Sequence, residues 1–426
     1  MVNEEIAESL SFTEYFGKSR LLKFALVFNL IYYIGVIVVF VFLLLQGTYL
    51  DTVFSIDFRV FYEAGIEFVN SPADIYQVNP NGLPFRYLPS FAMFMALIVW
   101  APLASLYMVN ITLMMLCNVG IVYLVYHVSL QRGVTSRTKN FERTLAIVFM
   151  TPPHIINIMF GQITQLAILF SLIALFLLQS SKKSWKCCIL IGLSIGLATT
   201  LKPFFLLFFP FLFPLSMTGH FQFTFPVRQC TGALVGFLTS MIPNILYFIV
   251  YPAAFTGLIE VNLFEDLTGQ HSTSLTKLIL AFIPLADTFL LQIGIIIVLG
   301  GFIFLRSYVR FLRTPSGRKN YLHHFADMSF LILLVYPDSW FLFLAVWYAF
   351  LAPSMLELYK SHADNRNMDL LWSGANNLLA FFTIGILIHY LLLGFDPIIP
   401  IWLAILYVLY HQLYGNSLTS NEFLSK

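Results

Sequence analysis

The chain has 426 residues, of which 59% are hydrophobic and only 10% charged, and its mean hydropathy is +0.83. Soluble domains carry about 25% charged residues to cover their surface, so this composition excludes a water-soluble globule, and a net charge of +2 gives no basis for nucleic acid as a partner. A helical span takes roughly 20 apolar residues, and the apolar runs are continuous rather than alternating. The expected class is therefore an all-α, polytopic transmembrane bundle of about ten to twelve spans, a single integral membrane domain over 1–426.

The polar start, Met1–Arg20, carries Lys18 and Arg20, with Lys23 just beyond, and by the positive-inside rule belongs in the cytoplasm. The run Leu21–Gln46 is too long for the core of a cleaved signal and lacks a small-residue cleavage site, so it reads as an uncleaved first helix. It delivers a loop, about 47–87, to the non-cytoplasmic face. This loop is the largest polar island, with Asp51, Asp57, Arg59, Glu63, Glu67, Asp74 and Arg86. Further apolar runs follow to Tyr414, joined by basic connectors at Arg132–Arg143, Lys182–Lys186, Arg306–Lys319 and Lys360–Arg366. A second outer loop is expected at about 252–274, where Glu260, Glu265, Asp266 and His271 stand without Lys or Arg. Breaks at Pro152-Pro153 with Gly161-Gln162, at Lys202-Pro203 and at Pro337-Asp338 divide long runs into helical pairs and are expected at the outer face. One conflict stays open: a cytoplasmic Arg132–Arg143 needs an odd number of crossings between Leu88 and Val128, whereas length and Pro102 favour two.

The four cysteines (Cys117, Cys187, Cys188, Cys230) lie in or beside apolar runs and read as small buried hydrophobes. There is no phosphate-binding glycine loop and no metal cluster of usable spacing. His323 and His324 adjoin a basic connector and are expected at the cytoplasmic side.

The chemistry points to the first loop. Asp57 follows the first helix directly and opens an amphipathic stretch with Phe58, Phe61 and Tyr62. Two readings stay open: a carboxylate held at the membrane surface beside a lipid head group, or a simple helix cap. Lys202 is a cation inside a long apolar run, a placement that costs a few kcal/mol on insertion scales. Its alternative to a functional role is snorkelling to an interface.

In this order, Asp57, Phe61-Tyr62, Ala64, Tyr76, Tyr87 and Pro89 resemble the first outer loop of GT-C membrane glycosyltransferases, and most of all glycosyltransferase family 87. The resemblance continues through Gly161-Gln162, the glycines Gly192 and Gly196 before Lys202-Pro203, Ser274-Leu275, and Pro337, Ser339 and Trp340. Two departures stand out: Ser55 occupies the place of the first acid of an aspartate pair, and Phe341 and Phe343 follow Trp340 where a histidine is common.

The resemblance implies a GT-C-like fold and an inverting transfer of a hexose, most simply mannose, from a polyprenyl-phosphate donor to a lipid or glycan acceptor on the non-cytoplasmic face of a multi-pass membrane protein. Asp57 is then the general base, and Lys202 and Arg86 face the departing phosphate. Gln162, His271, Ser274, Trp340, Tyr62, Tyr76 and Tyr87 become donor- or substrate-binding candidates. Membrane lipid and the lipid-linked sugar are the expected partners. No cofactor is expected, and without the aspartate pair no divalent metal. The alternative class is a transporter or flippase of lipids or lipid-linked sugars. It is disfavoured because such proteins keep their ionisable groups near the midplane, whereas the acids here gather in one loop.

Overall fold

The computed structural model describes residues 11–49, 54–134, 139–180, 183–218, 222–264, 272–283, 288–337, 339–362, 365–388 and 397–423. A short helix, α1 (Phe12–Lys18), opens on a capping box in which Ser11 and Glu14 satisfy each other's backbone N–H. The first long helix, α2 (Arg20–Leu45), buries Leu22, Ala25, Asn29, Tyr33, Val36 and Phe40 on one side. Its other side exposes Phe24, Ile31, Ile34, Val38 and Phe42, as a lipid-facing helix does.

After the first loop come α3 (Ile56–Asn70), α4 (Pro89–Ala96), α5 (Leu103–Gln131), α6 (Lys139–Met150), α7 (Pro152–Phe160), α8 (Thr164–Gln179) and α9 (Trp185–Leu201). A 3-10 segment, Pro203–Leu212, then leads to a small antiparallel hairpin of β1 (Ser216–Thr218) and β2 (Gln222–Thr224), with Met217 opposite Phe223. The remainder is α10 (Val227–Val250), α11 (Pro252–Ile259), α12 (Leu275–Phe282), α13 (Thr288–Ile295), α14 (Gly301–Arg313), α15 (Tyr321–Val335), α16 (Leu344–His362), α17 (Arg366–Ile388) and α18 (Ile398–Phe423). Six helical stretches are long and apolar enough to cross a bilayer singly, and four shorter apolar ones stand among them. The expected ten to twelve passes are reached only by counting these shorter and broken pieces.

The contacts sort the turns into two ends. At the basic end, Tyr15 of α1 packs on Tyr126 of α5 and Phe141 of α6, and the Ser19 hydroxyl donates to Glu142. Arg132 pairs with Glu357 of α16, and Lys360 donates to the Gly133 carbonyl at 3.1 Å. At the other end, which we call the loop face, the Tyr247 hydroxyl donates to the Pro72 carbonyl. Thr273 N–H there bonds the Ser339 carbonyl at 2.6 Å.

This sorting resolves the conflict in the sequence. Only one long helix, α5, crosses between Leu88 and Val128. The apolar residues before Pro102 form the short α4, packed against α3, and do not form a second span. The connector after Arg132 thus lies with the N-terminal basic residues. The Pro152-Pro153 break also differs from expectation: it kinks the chain between α6 and α7 within a pass, and the turn at the loop face is Gly161-Gln162.

Helices α9 and α10 meet backbone to backbone. A Cβ on Gly192 would collide with the Ala233 carbonyl, and one on Gly236 with the Ile189 carbonyl. Small residues permit this approach, the usual means of joining helices where lipid gives no hydrophobic drive. The glycine-rich approach to Lys202 is therefore a packing seam. In the centre, Phe208 of the 3-10 segment packs on Phe325 and Phe350, with ring centroids 4.5 and 5.4 Å away, and α15 is buried along its whole length.

Candidate active site

The loop-face site is built from the start of α3, the turn after α7, the approach to α4, the end of α9 and the start of α16. Helix α3 begins at Ser55, whose φ of 59° places it in the left-handed region. A non-glycine residue there costs about 1–2 kcal/mol. The conformation is held on both sides: Ser55 N–H donates to the Met159 carbonyl at 3.1 Å, and Arg59 N–H returns to the Ser55 carbonyl at 2.8 Å. Ser55 is thus the N-cap, although its hydroxyl makes no capping bond, and Asp57 lies inside the first turn. The cap reading of Asp57 does not match this geometry. Its half-buried carboxylate sits near the positive end of the helix dipole instead.

The α7–α8 turn locks onto this helix start. Gly161 has a φ of 79°, and a Cβ there would lie 2.5 Å from the Phe58 Cβ and 3.3 Å from the Phe58 nitrogen. Both the dihedral and the close approach require glycine. The Gly161 carbonyl accepts from Asn110 at 3.2 Å. Gln162 is consequently fixed beside the residue that follows Asp57.

Gln162 belongs to a buried polar chain. The Tyr87 hydroxyl donates to Gln162 Oε1 at 3.2 Å and accepts from Lys202 Nζ at 2.9 Å. Lys202 ends α9, is only 5% exposed, and places its ammonium 4.7 Å from the Tyr87 ring centroid and 4.9 Å from that of Phe343. This is not a snorkelled lysine, since its head group is turned onto buried aromatic and hydroxyl partners. The Tyr76 hydroxyl donates to the Tyr87 carbonyl at 3.0 Å, and burial pushes the Tyr76 phenol pKa upward, so it remains a donor. Arg86, one residue before Tyr87, is half-buried.

The other sequence candidates divide. Trp340 bridges Ser272 as an isolated β-pair, and Phe343 N–H bonds its carbonyl at 2.8 Å, so the Trp340 segment carries Phe343 to Lys202. Ser274 is buried and caps α12, accepting from Lys277 N–H at 3.1 Å. The Tyr62 hydroxyl donates to the Val99 and Ala101 carbonyls at 3.2 and 3.3 Å, pinning the turn between α4 and α5. His271 and Asp51 lie outside the described residues. His323 and His324 sit at the start of α15, at the basic end, and both are buried within the bundle rather than placed on the connector.

Sequence reasoning missed two parts. Phe343 was noted only for not being histidine, yet its ring flanks the Lys202 ammonium. Asn244, beside Pro243 in the apolar α10, accepts from Ser90 N–H at 2.8 Å and lies 3.4 Å from Thr200 Oγ1. It thereby serves a donor that α4 leaves unpaired at its first turn. An amide in an apolar helix was the available signal.

A buried ammonium, a phenol, an amide and a nearby carboxylate at one membrane face suit an anionic leaving group and a hydroxyl nucleophile. No curated protein and no solved structure matches the chain. The domain described as Glycosyltransferase family 87 matches over residues 85–337, more than half of the sequence. Tyr87, Gln162 and Lys202 fall inside the match, while Asp57 and Trp340 fall outside it. The chain therefore belongs to glycosyltransferase family 87, and it is a multi-pass membrane glycosyltransferase.

Proposed function

We propose that the protein transfers a hexose, most simply mannose, from a polyprenyl-phosphate donor to a hydroxyl of a lipid or glycan acceptor at the loop face, with inversion. The observation that carries this reading is the Lys202–Tyr87–Gln162 chain, set against the helix start that bears Asp57. In the proposed step Asp57 takes the proton of the acceptor hydroxyl as its oxygen attacks the anomeric carbon. The bond from that carbon to the phosphate oxygen breaks, and the electron pair leaves with the phosphate. The Lys202 ammonium, oriented by Tyr87, meets the charge that develops there. In this reading Arg86 assists it, Gln162 bonds a sugar hydroxyl, and Trp340 flanks the sugar ring. The isoprenoid tail rests on apolar helix surface, of which the bundle has ample area.

The test is incubation of the purified protein with radiolabelled polyprenyl-phosphate mannose and a membrane lipid extract, followed by chromatography. A labelled product from the parent and none from Asp57→Asn supports the reading. If label stays wholly in the mannose donor while radiolabelled polyprenyl-phosphate glucose gives product in a parallel incubation, the choice of mannose is overturned.

A further inference from the structure

At the basic end, α15 and α18 bury four ligand-type side chains that the transfer step does not use. His323, His324 and Asp327 come from α15 and His411 from α18, and each is at most 5% exposed. His323 and Asp327 are four residues apart and share a helix face. The Asp327 carboxylate stands between two rings: Oδ1 is 2.9 Å from His411 Nε2, and Oδ2 is 3.4 Å from His323 Nε2. One ligand atom each from His323, His324 and Asp327 lie within 4.8 Å of one another.

The directions matter as much as the distances. His411 Nε2 and Asp327 Oδ1 stand 2.9 Å apart with a poorly aligned hydrogen bond. Two ligand-type atoms so close and so loosely engaged leave lone pairs that a third partner can share. With bonds of about 2.0–2.2 Å to an ion, neighbouring ligand atoms stand about 3–3.5 Å apart. The far ring nitrogens are already held: His323 Nδ1 is 2.7 Å from the Tyr410 hydroxyl, itself 2.6 Å from Ser354 Oγ, and His324 Nδ1 is 2.9 Å from Ser307 Oγ. Such outer partners fix the tautomer and orientation of metal-binding imidazoles. Arg310 Nη1 lies 3.2 Å from His323 Nε2. A guanidinium has only protons to offer, so the nitrogen facing it presents its lone pair.

We propose that His323, His324 and Asp327, with His411 as the available fourth ligand, form a binding site for a divalent transition-metal ion of the zinc class. A nitrogen-rich set with one carboxylate suits that class. The ion displaces Arg310 toward the Tyr414 ring, over which its guanidinium carbon already stands at 5.1 Å. Its effect is structural: it fastens α18 to the central helix.

The test uses the full-length protein in detergent, stripped with a chelator and titrated with zinc ion alone. About one ion per chain by elemental analysis and a raised thermal midpoint are expected. Asp327→Asn and His411→Ala should lose both effects, whereas His362→Ala, at the end of α16, should keep both. Cobalt loading of the unaltered protein should give visible ligand-field absorption that zinc abolishes, a readout that needs no variant to fold. Failure of the parent to bind either ion stoichiometrically overturns the proposal, as does undiminished binding by folded Asp327→Asn.

Discussion

The two ends of the bundle bury charge in different ways. At the loop face Lys202 is turned onto a phenol and two aromatic rings, next to loops that connect outward. At the basic end the Asp327 carboxylate stands between the His323 and His411 imidazoles on packed helices, and Arg310 lies on His323. Cation–aromatic contacts contribute about 0.5–2 kcal/mol, less than the desolvation of an ammonium. On the proposed function an anionic ligand adds to these contacts at the loop face, whereas the basic-end carboxylate already faces two imidazoles.

The sharpest way to break this comparison is Asp57→Asn. If Asp57 is the base, turnover falls by roughly 10²-fold or more, while donor affinity changes little. Because Ser55 is the cap, asparagine at position 57 costs little stability, and thermal unfolding should move only slightly. A folded Asp57→Asn enzyme with parental turnover removes Asp57 from the chemistry.

Lys202→Met comes next. It keeps the length of the side chain and removes the charge, so donor use should fall at least roughly tenfold, the worth of one charge-assisted hydrogen bond. Lys202→Arg should recover part of this, because charge persists while the geometry to Tyr87 changes. Equal donor kinetics for Met and Lys would make the buried ammonium a packing feature.

Tyr87→Phe removes the hydroxyl that links Lys202 to Gln162 and keeps the ring beneath the ammonium. An effect of about threefold to tenfold on donor KM follows from a net hydrogen bond of about 0.5–1.5 kcal/mol. Tyr62→Phe is the matched control: among the described residues its hydroxyl serves the Val99 and Ala101 carbonyls, so stability should drop slightly and kinetics should hold. If the two variants behave alike in donor KM, the distinction between lining and pinning tyrosines is lost.

How much of this was legible in the sequence depends on range. Continuous apolar runs disclosed the helical membrane class, and Asp57, Gln162 and Lys202 stood out as polar residues in unusual places. Their meeting point was not legible, because Tyr87, Gln162 and Lys202 are far apart in sequence and join only through the Gly161 turn and the end of α9. Tyr62, Tyr76 and Tyr87 look alike in a loop, yet their hydroxyls face different carbonyls and partners. The single crossing of α5 was hidden by composition: apolar residues serve a surface hairpin at α4 as readily as a span. His323 and Asp327 have a helical spacing that reads as one face, but His411 reaches them only through the packing of α18. The scarcity of ionisable groups let each buried one be noticed, and only tertiary contacts could sort them into ends.

The smallest expected effect comes from Glu357→Gln at the basic end, and it asks whether the two ends are independent. Glu357 accepts from Arg132, with Nε at 3.1 Å, and from Asn320 at 3.0 and 3.2 Å. Arg132 and Glu357 are each about a quarter exposed, so water screens the pair. Glutamine keeps the size and one acceptor oxygen and removes only the charge. Partly exposed ion pairs contribute about 0.2–1 kcal/mol, so the thermal midpoint should fall by a degree or two, and less in high salt. Donor KM and turnover should stay within about twofold of the parent, because Glu357 and Lys202 stand at opposite ends of the bundle and separated sites add independently. A tenfold loss of transfer in a variant with near-parental stability would show that the clamp at the basic end sets the geometry at the loop face, and the division of labour between the ends would have to be abandoned.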